Sequence, residues 1–151
     1  MNQKLKNQLP LILVFLLACF TYMWALWNET TNLYYSSGVY SMGQNLHAFF
    51  YNSIDSVGFI SIDKPPLGLW IQVLFTKIFG FSNFAILLPE ALAGVFSVFA
   101  LYIIIEKRFS RTAATASSFV LAFTPILSAV CRNNTIDGIL IFMLVLASWQ
   151  A

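Results

Sequence analysis

The chain has 151 residues, of which 59% are hydrophobic and only 9% are charged, with a formal net charge of +2. Soluble domains carry charge on roughly a quarter of their positions. Together with a mean hydropathy of +0.77, this composition excludes an ordinary water-soluble domain and indicates an integral membrane protein. We therefore expect an all-α fold of polytopic membrane helices.

The first apolar stretch covers residues 10–27 and follows Lys4 and Lys6. Its length suits a transmembrane helix, which needs about 20 largely apolar residues. A signal peptide has a similar basic start, but no small-x-small cleavage pattern precedes Asn28. We favour a retained signal-anchor helix, with the N-terminus in the cytoplasm because basic residues mark the cytoplasmic side of a span.

A long aromatic segment, residues 28–83, follows this span and is predicted to form an outer loop. Apolar positions spaced by three or four residues predict an interfacial helix over 33–50. An irregular connection over 52–64 leads into a second interfacial helix over 65–79. The prolines suit the start of that helix, and Asp63 is expected to cap it.

The apolar run over 66–79 could instead be a short transmembrane helix. If it crossed the membrane, the basic segment "EKRFSR" at 106–111 would lie outside, against the preference of Lys and Arg for the cytoplasmic side. The run also has a line of small or polar residues on one helical face, at Gly68, Gln72 and Thr76. Both observations favour a helix that lies in the membrane interface.

Two further spans are predicted over 84–105 and 112–130, and a fourth apolar segment covers 138–151. The fourth has about 14 residues, too few to cross roughly 30 Å of hydrocarbon at about 1.5 Å per residue. We therefore expect residues 1–151 to be the N-terminal part of a longer membrane domain.

With this topology, five of the six carboxylates fall on or near the outer face, and only Glu106 lies inside. The outer acids are Glu29, Asp55, Asp63, Glu90 and Asp137. Acids at membrane edges are costly to desolvate and are therefore candidate site residues. A purely structural role stays open for three of these acids and for Lys64: Asp63 and Asp137 as helix caps, Asp55 in a turn, and Lys64 as a snorkelling base.

Three segments together resemble the bacterial dolichyl-phosphate-mannose-protein mannosyltransferase-like family and the related aminoarabinose transferases. They are "KPPLGLW", "FGFSNFAILLPEALAG" and "RNNTID". The resemblance implies a membrane glycosyltransferase with the C-type (GT-C) fold. Such enzymes transfer a sugar from a polyprenyl-phosphate carrier to an acceptor on the extracytoplasmic side of the cell membrane.

The resemblance also implies roles for individual residues. The acid before "KPP" corresponds to Asp63, a catalytic candidate that is a metal ligand in some relatives, so a divalent metal is the one cofactor considered. Lys64 corresponds to the lysine that meets the carrier phosphate, with Arg132 and Tyr35 as further candidate contacts. Asp137 corresponds to an acid at the active site.

One departure from the family pattern concerns the general base. Many relatives carry an Asp-Glu pair early in the outer loop, where this chain has Thr31 and Asn32. Neither side chain accepts a proton usefully at neutral pH, so Glu29 and Asp55 are the substitute candidates.

The expected partners are a polyprenyl-phosphate sugar, the lipid bilayer and a protein, lipid or glycan acceptor, with no nucleic acid. We expect the 151-residue chain alone to be inactive. The alternative interpretation is a non-catalytic membrane subunit or a degenerate fragment. A transporter fragment is disfavoured because the charged residues cluster at membrane edges rather than at mid-span.

Overall fold

A computed structural model describes residues 3–55 and 57–149, with side chains from residue 8 onward. The described chain is all-helical and contains no β-strand, which confirms the predicted class. The helices are α1 (Gln3–Met23), α2 (Leu33–Gln44), α3 (Leu46–Phe50), α4 (Pro66–Phe79), α5 (Asn83–Arg108), α6 (Arg111–Ala122), α7 (Pro125–Cys131) and α8 (Asp137–Ser148), with a short 3-10 turn at Leu26–Asn28.

Helix α5 is the centre of the molecule, since α1, α4, α6, α7 and α8 all pack against it. Small residues make this close packing possible. At Gly94, for example, an added Cβ would lie 2.7 Å from the Cys131 sulfur and 3.1 Å from the Tyr22 ring. Small side chains let helix backbones approach closely, as is common between helices in membranes.

Among the described residues, two helices are long and apolar enough to cross a membrane, Gln8–Asn28 and Asn83–Arg108. They correspond to the predicted spans 10–27 and 84–105. The predicted span 112–130 is a bent pair, α6 and α7, with an angle of 61° between the two helices. Helix α8 ends at Ser148, and the last two residues of the predicted segment 138–151 lie outside the described residues.

The bend between α6 and α7 follows from Pro125, which has no N–H to continue the backbone ladder. The carbonyl of Leu121 accepts a hydrogen bond from the Thr124 N–H and another from the Tyr22 hydroxyl on α1, at 3.1 Å. The break is therefore stabilised by a neighbouring helix.

The prediction of one continuous helix over 33–50 is wrong, because the chain breaks at Asn45. Asn45 has an extended backbone (φ −147°, ψ 154°), and its side chain accepts a hydrogen bond from the Ala48 N–H. It thus caps a new helix rather than continuing the old one. The apolar spacing of three to four residues persists across the break, which is why periodicity alone suggested one helix.

The prediction that Asp63 caps α4 is also wrong. The cap position is occupied by Pro65, which makes no side-chain capping bond, and the helix begins at Pro66. A residue that precedes a proline is disfavoured in the helical region. Lys64 and Pro65 both precede a proline, so the helix cannot begin within capping reach of Asp63.

The line formed by Gly68, Gln72 and Thr76 faces the protein, since all three residues are buried. The outward face of α4 is apolar instead, with Leu74, Ile78 and Phe79 each more than half exposed. An apolar outward face on this short helix is compatible with contact to lipid. The interfacial position of α4 remains a prediction.

Candidate functional site

Lys64 and Asp137 meet although they are distant in the sequence. Lys64 lies two residues before α4 and Asp137 is the first residue of α8. The Lys64 Nζ lies 3.7 Å from the Asp137 Oδ1, and the two side chains are 30% and 38% exposed. A long ion pair with this exposure is weak, because water screens both charges. Lys64 can therefore exchange Asp137 for another anion at little cost.

An apolar cavity of about 150 Å³ lies beside this ion pair. Lys64 and Asp137 form part of its lining, and most of the rest is aliphatic, including Leu67, Leu140 and Met143. A charged pair beside aliphatic side chains suits a ligand that joins an ionic group to a hydrocarbon chain.

Gly68 and Ile136 bring the two helix starts together at this cavity. An added Cβ on Gly68 would lie 2.7 Å from the Cβ of Ile136, closer than any side chain permits. Glycine at this position of α4 is thus required for the approach of α8. This contact brings the segments that carry Lys64 and Asp137 close together.

Tyr35 is close enough to Asp63, Lys64 and Asp137 for their charges to act on its hydroxyl. Its ring is buried, with 9% of its surface exposed. Burial raises the pKa of the Tyr35 hydroxyl, the negative charge of Asp63 raises this pKa further, and the positive charge of Lys64 opposes the rise. Tyr35 is therefore a neutral hydrogen-bond donor at physiological pH, within electrostatic reach of Asp63, Lys64 and Asp137.

Asn52 supports the backbone at Lys64 and was missed in the sequence. Its Nδ2 donates to the Lys64 carbonyl at 2.9 Å, and its own carbonyl accepts from the Ile62 N–H at 2.8 Å. Asn52 has a positive φ of 56°. Asn is among the few residues that tolerate this conformation, and that preference is the only signal in the sequence.

Asp55 organises the loop on the far side of Asn52. Its two carboxylate oxygens accept hydrogen bonds from the backbone N–H groups of Val57, Gly58, Phe59 and Ile60. These bonds, the one from Ile60 foremost, lower the pKa of Asp55. A carboxylate occupied in this way is a poor proton acceptor, so the geometry favours the structural role for Asp55.

Glu29 and Arg132 form a second ion pair, with one Glu29 oxygen accepting from both Nε and Nη2 of Arg132. The guanidinium also donates to the Trp24 carbonyl at 2.7 Å, at the end of α1. The structure thus joins two predicted site residues to each other. This arrangement holds the end of α1 against the segment after α7.

Asn134 joins the first outer segment to the "RNNTID" segment. This buried side chain accepts a hydrogen bond from the Asn32 N–H at 2.7 Å and donates to the Ser36 hydroxyl at 3.1 Å. Asn32 itself caps α2 by accepting from the Tyr34 N–H. The Thr31 hydroxyl donates to the Asn83 side chain. Residues 31 and 32 therefore serve local structure in this chain.

The described residues contain no group of three His, Cys, Asp or Glu side chains that could hold a metal ion. Asp63 is exposed and Asp137 is paired with Lys64. The divalent metal considered from the resemblance remains a prediction.

Comparison with known proteins gives one family and two similar proteins. Residues 63–151 match the family of dolichyl-phosphate-mannose-protein mannosyltransferases. "Putative mannosyltransferase YkcB" of Bacillus subtilis (strain 168) is 44% identical over 149 residues, which are 98% of this chain and 21% of that protein. "Putative mannosyltransferase YycA" of the same organism is 47% identical over 139 residues, 91% of this chain and 20% of that protein. No solved structure matches the chain.

The chain spans about a fifth of the length of these curated relatives. The family match covers more than half of the 151 residues and includes the whole Lys64 to Asp137 segment. It confirms the resemblance carried by "KPPLGLW" and "RNNTID". The chain belongs to the dolichyl-phosphate-mannose-protein mannosyltransferase family.

Proposed function

We propose that the complete protein is a membrane glycosyltransferase that transfers mannose from a polyprenyl-phosphate carrier to an extracytoplasmic acceptor. The observation that carries the proposal is the weak Lys64–Asp137 pair beside an aliphatic cavity. Family membership and the names of the two relatives support the type of reaction.

Lys64 binds the phosphate of the donor in this proposal. Its ammonium group is a compact point charge, well suited to a phosphate oxygen. When the bond between the sugar and the phosphate breaks, the phosphate gains negative charge, and Lys64 stabilises that charge in the transition state. Tyr35 adds a neutral hydroxyl donor to the same region.

The aliphatic side chains beside Lys64 receive the first part of the polyprenyl chain. Burial of each CH₂ group contributes about 0.8 kcal/mol. An apolar cavity of this size therefore adds affinity for a lipid-linked donor over a soluble sugar phosphate. The exposed apolar face of α4 continues this surface toward the bilayer.

The acceptor hydroxyl attacks the anomeric carbon of the sugar, its proton passes to a carboxylate, and the carrier phosphate leaves with the bonding electrons. We assign the proton to Asp63, because Asp137 is the ion-pair partner that orients Lys64. Asp63 is exposed and next to Lys64 in the chain, so an acceptor that reaches the donor also meets this carboxylate. Direct displacement of this kind inverts the anomeric configuration.

The test is transfer from a polyprenyl-phosphate mannose donor by variants of the complete protein in membranes. Lys64→Met is expected to lower kcat/KM by about 100-fold through lost transition-state stabilisation. Asp63→Asn is expected to lower kcat by at least about 100-fold through loss of the base. Lys77→Met, at the other end of α4, is the matched control and leaves transfer unchanged.

Normal transfer by both Lys64→Met and Asp63→Asn, at normal protein levels, contradicts the proposed site. A second donor, mannose phosphate without the lipid, tests the role of the cavity. If the soluble donor is used as efficiently as the lipid-linked one, the cavity does not bind a polyprenyl chain.

A further inference from the structure

Glu90 is a carboxylate fully buried in α5, and the proposed reaction does not use it. Its exposure is 0%. Among the described residues it accepts from two neutral donors: the Gln72 side chain on α4, with Nε2 at 3.0 Å from Oε1, and the Ile139 N–H on α8, at 3.1 Å from Oε2. Burial of a carboxyl group is unfavourable unless its oxygens are hydrogen-bonded. One side chain of α5 thus contacts both helices that begin at the candidate site.

The hydrogen bond from the Ile139 N–H to Glu90 takes the place of an N-terminal cap on α8. Ile136 occupies the cap position, has a positive φ of 61° and offers no side-chain acceptor. The first N–H groups of a helix lack partners within the helix, and Glu90 accepts the one at Ile139 from outside. Gly138 permits this contact, because an added Cβ would lie 2.9 Å from the Glu90 Oε2.

The hydrogen bond from Gln72 to Glu90 lies one helical turn along α4 from the contact between Gly68 and Ile136. Gln72 and Gly68 lie on the same face of α4, and both are buried. Glu90 therefore holds α4 through Gln72 and α8 through Ile139, while Gly68 and Ile136 form the direct contact between the two helix starts. Lys64 and Asp137 extend from these two starts.

We infer that Glu90 is a positioning residue, which sets the spacing of Lys64 and Asp137 by holding the starts of α4 and α8 together. The inference rests on the proposed function of that ion pair. Glu90 accepts hydrogen bonds in this role and does not touch the donor or the acceptor.

Because this role requires hydrogen-bond acceptors rather than a negative charge, Glu90→Gln is a conservative variant. In Glu90→Gln the new amide oxygen can accept from the Ile139 N–H. Its NH₂ group can donate to the Gln72 Oε1, which has no hydrogen-bond partner among the described residues. In Glu90→Leu a side chain of similar size fills the site, but both donors lose their acceptor.

The experiment measures transfer from a polyprenyl-phosphate mannose donor by the complete protein in membranes. Glu90→Leu is expected to lower kcat/KM by about 10- to 100-fold, since a misplacement near 1 Å costs about 100-fold. Glu90→Gln is expected to stay within about threefold of the native enzyme. Ser97→Ala is the matched control. It removes a buried hydroxyl two turns further along α5, and that hydroxyl donates only to the Ala93 carbonyl of the same helix.

A double-mutant cycle separates positioning from general destabilisation. Once Asp137→Asn has removed the ion pair, the spacing no longer matters, so Glu90→Leu should lower kcat/KM by less than about threefold further. A full, additive loss in the Asp137→Asn background overturns the inference. So does a loss in Glu90→Gln as large as that in Glu90→Leu. If Glu90→Leu does not accumulate, Gln72→Met, which breaks only the α4 contact, takes its place in the same cycle.

The two proposals fail differently. Normal transfer by Lys64→Met and Asp63→Asn contradicts the proposed site whatever Glu90 does. Loss of transfer in those variants with normal transfer in Glu90→Leu leaves the site intact and overturns only the positioning role.

Discussion

Arg132 has four hydrogen bonds, to Glu29 and to backbone carbonyls of the first helix, and this set of partners predicts a role in stability. We expect Arg132→Met to lower the free energy of unfolding by at least about 1 kcal/mol, the upper end for partly exposed ion pairs. Thermal unfolding in detergent measures the effect. Arg111→Met is the control, because the Arg111 side chain is more exposed than that of Arg132 and its pair with Glu106 should contribute little.

If Arg132 bound the carrier phosphate instead, Arg132→Met would leave unfolding unchanged and would raise the KM for the donor. That result would favour the role implied by the family resemblance over the contacts in the structure. The same protein preparations serve both measurements.

The stability of the loop that Asp55 organises is expected to depend on pH. Four N–H donors stabilise its carboxylate, so the pKa is lower in the folded loop than in an unfolded chain. The ionised carboxylate of such a group stabilises the folded loop fully at pH values above its unfolded pKa of about 3.9. This stabilisation is lost as the pH falls through the lower pKa of the folded state. We expect the hydrogen-exchange protection factors of residues 57–60 to be constant between about pH 7 and 5 and to decrease only below about pH 4.

Asp55→Ala removes the acceptors at every pH and should abolish that protection, while Asp55→Asn, with one acceptor oxygen, should retain part of it. Protection that already decreases between about pH 7 and 5 would contradict the assignment of Asp55 as the loop anchor.

At the level of single residues, the sequence identified the charged site residues but not the residues that hold them in place. Charge distribution and resemblance predicted that Lys64 and Asp137 lie on the same side of the membrane, and the structure brings the two side chains together. The roles of Asn52, Asn134 and Glu90 depend on hydrogen bonds between distant parts of the chain. Glu90 did carry one signal, since a carboxylate within an apolar span is rare.

The contact between α4 and α8 gives a test at the level of helices. Gly68→Ala introduces a Cβ that overlaps Ile136, so we expect a loss of about 1–3 kcal/mol in the free energy of unfolding, as for other overpacked sites. Transfer should decrease with it, because the overlap separates Lys64 from Asp137.

Gly43→Ala on α2 is the matched control for Gly68→Ala. Its nearest neighbour would be the Lys77 Cε at 3.8 Å, an ordinary contact, so alanine should be neutral or slightly stabilising in this helix. Equal effects of the two substitutions on stability would contradict the packing argument.

Helix locations followed from apolar periodicity, whereas two interruptions did not. The break at Asn45 depends on a side chain that caps a new helix in the middle of a regular apolar pattern. The bend at Pro125 is stabilised by Tyr22 of α1, whose hydroxyl donates a hydrogen bond to the Leu121 carbonyl. Hydropathy averaged over a window is insensitive to both, because the apolar content continues through each interruption.

For the whole molecule, the predicted topology puts the loop before α4 outside and the turn between α5 and α6 in the cytoplasm. Phe59 and Phe109 mark these two places and are 87% and 74% exposed. In a background with Cys19 and Cys131 replaced by Ala, a membrane-impermeant thiol reagent on intact cells should label Phe59→Cys. It should label Phe109→Cys only after the membrane is opened. Labelling of both in intact cells contradicts an interfacial α4.

The hydrogen bonds of Glu90 also bear on how the chain is synthesised. Gln72 precedes Glu90 and is already available when α5 leaves the ribosome, but Ile139 follows 49 residues later. At about 5–20 residues per second, that interval lasts roughly 2–10 s. During this time the carboxyl group of α5 has only one of its two partners. The buried carboxyl group of α5 therefore gains its second hydrogen bond only after α8 has been synthesised.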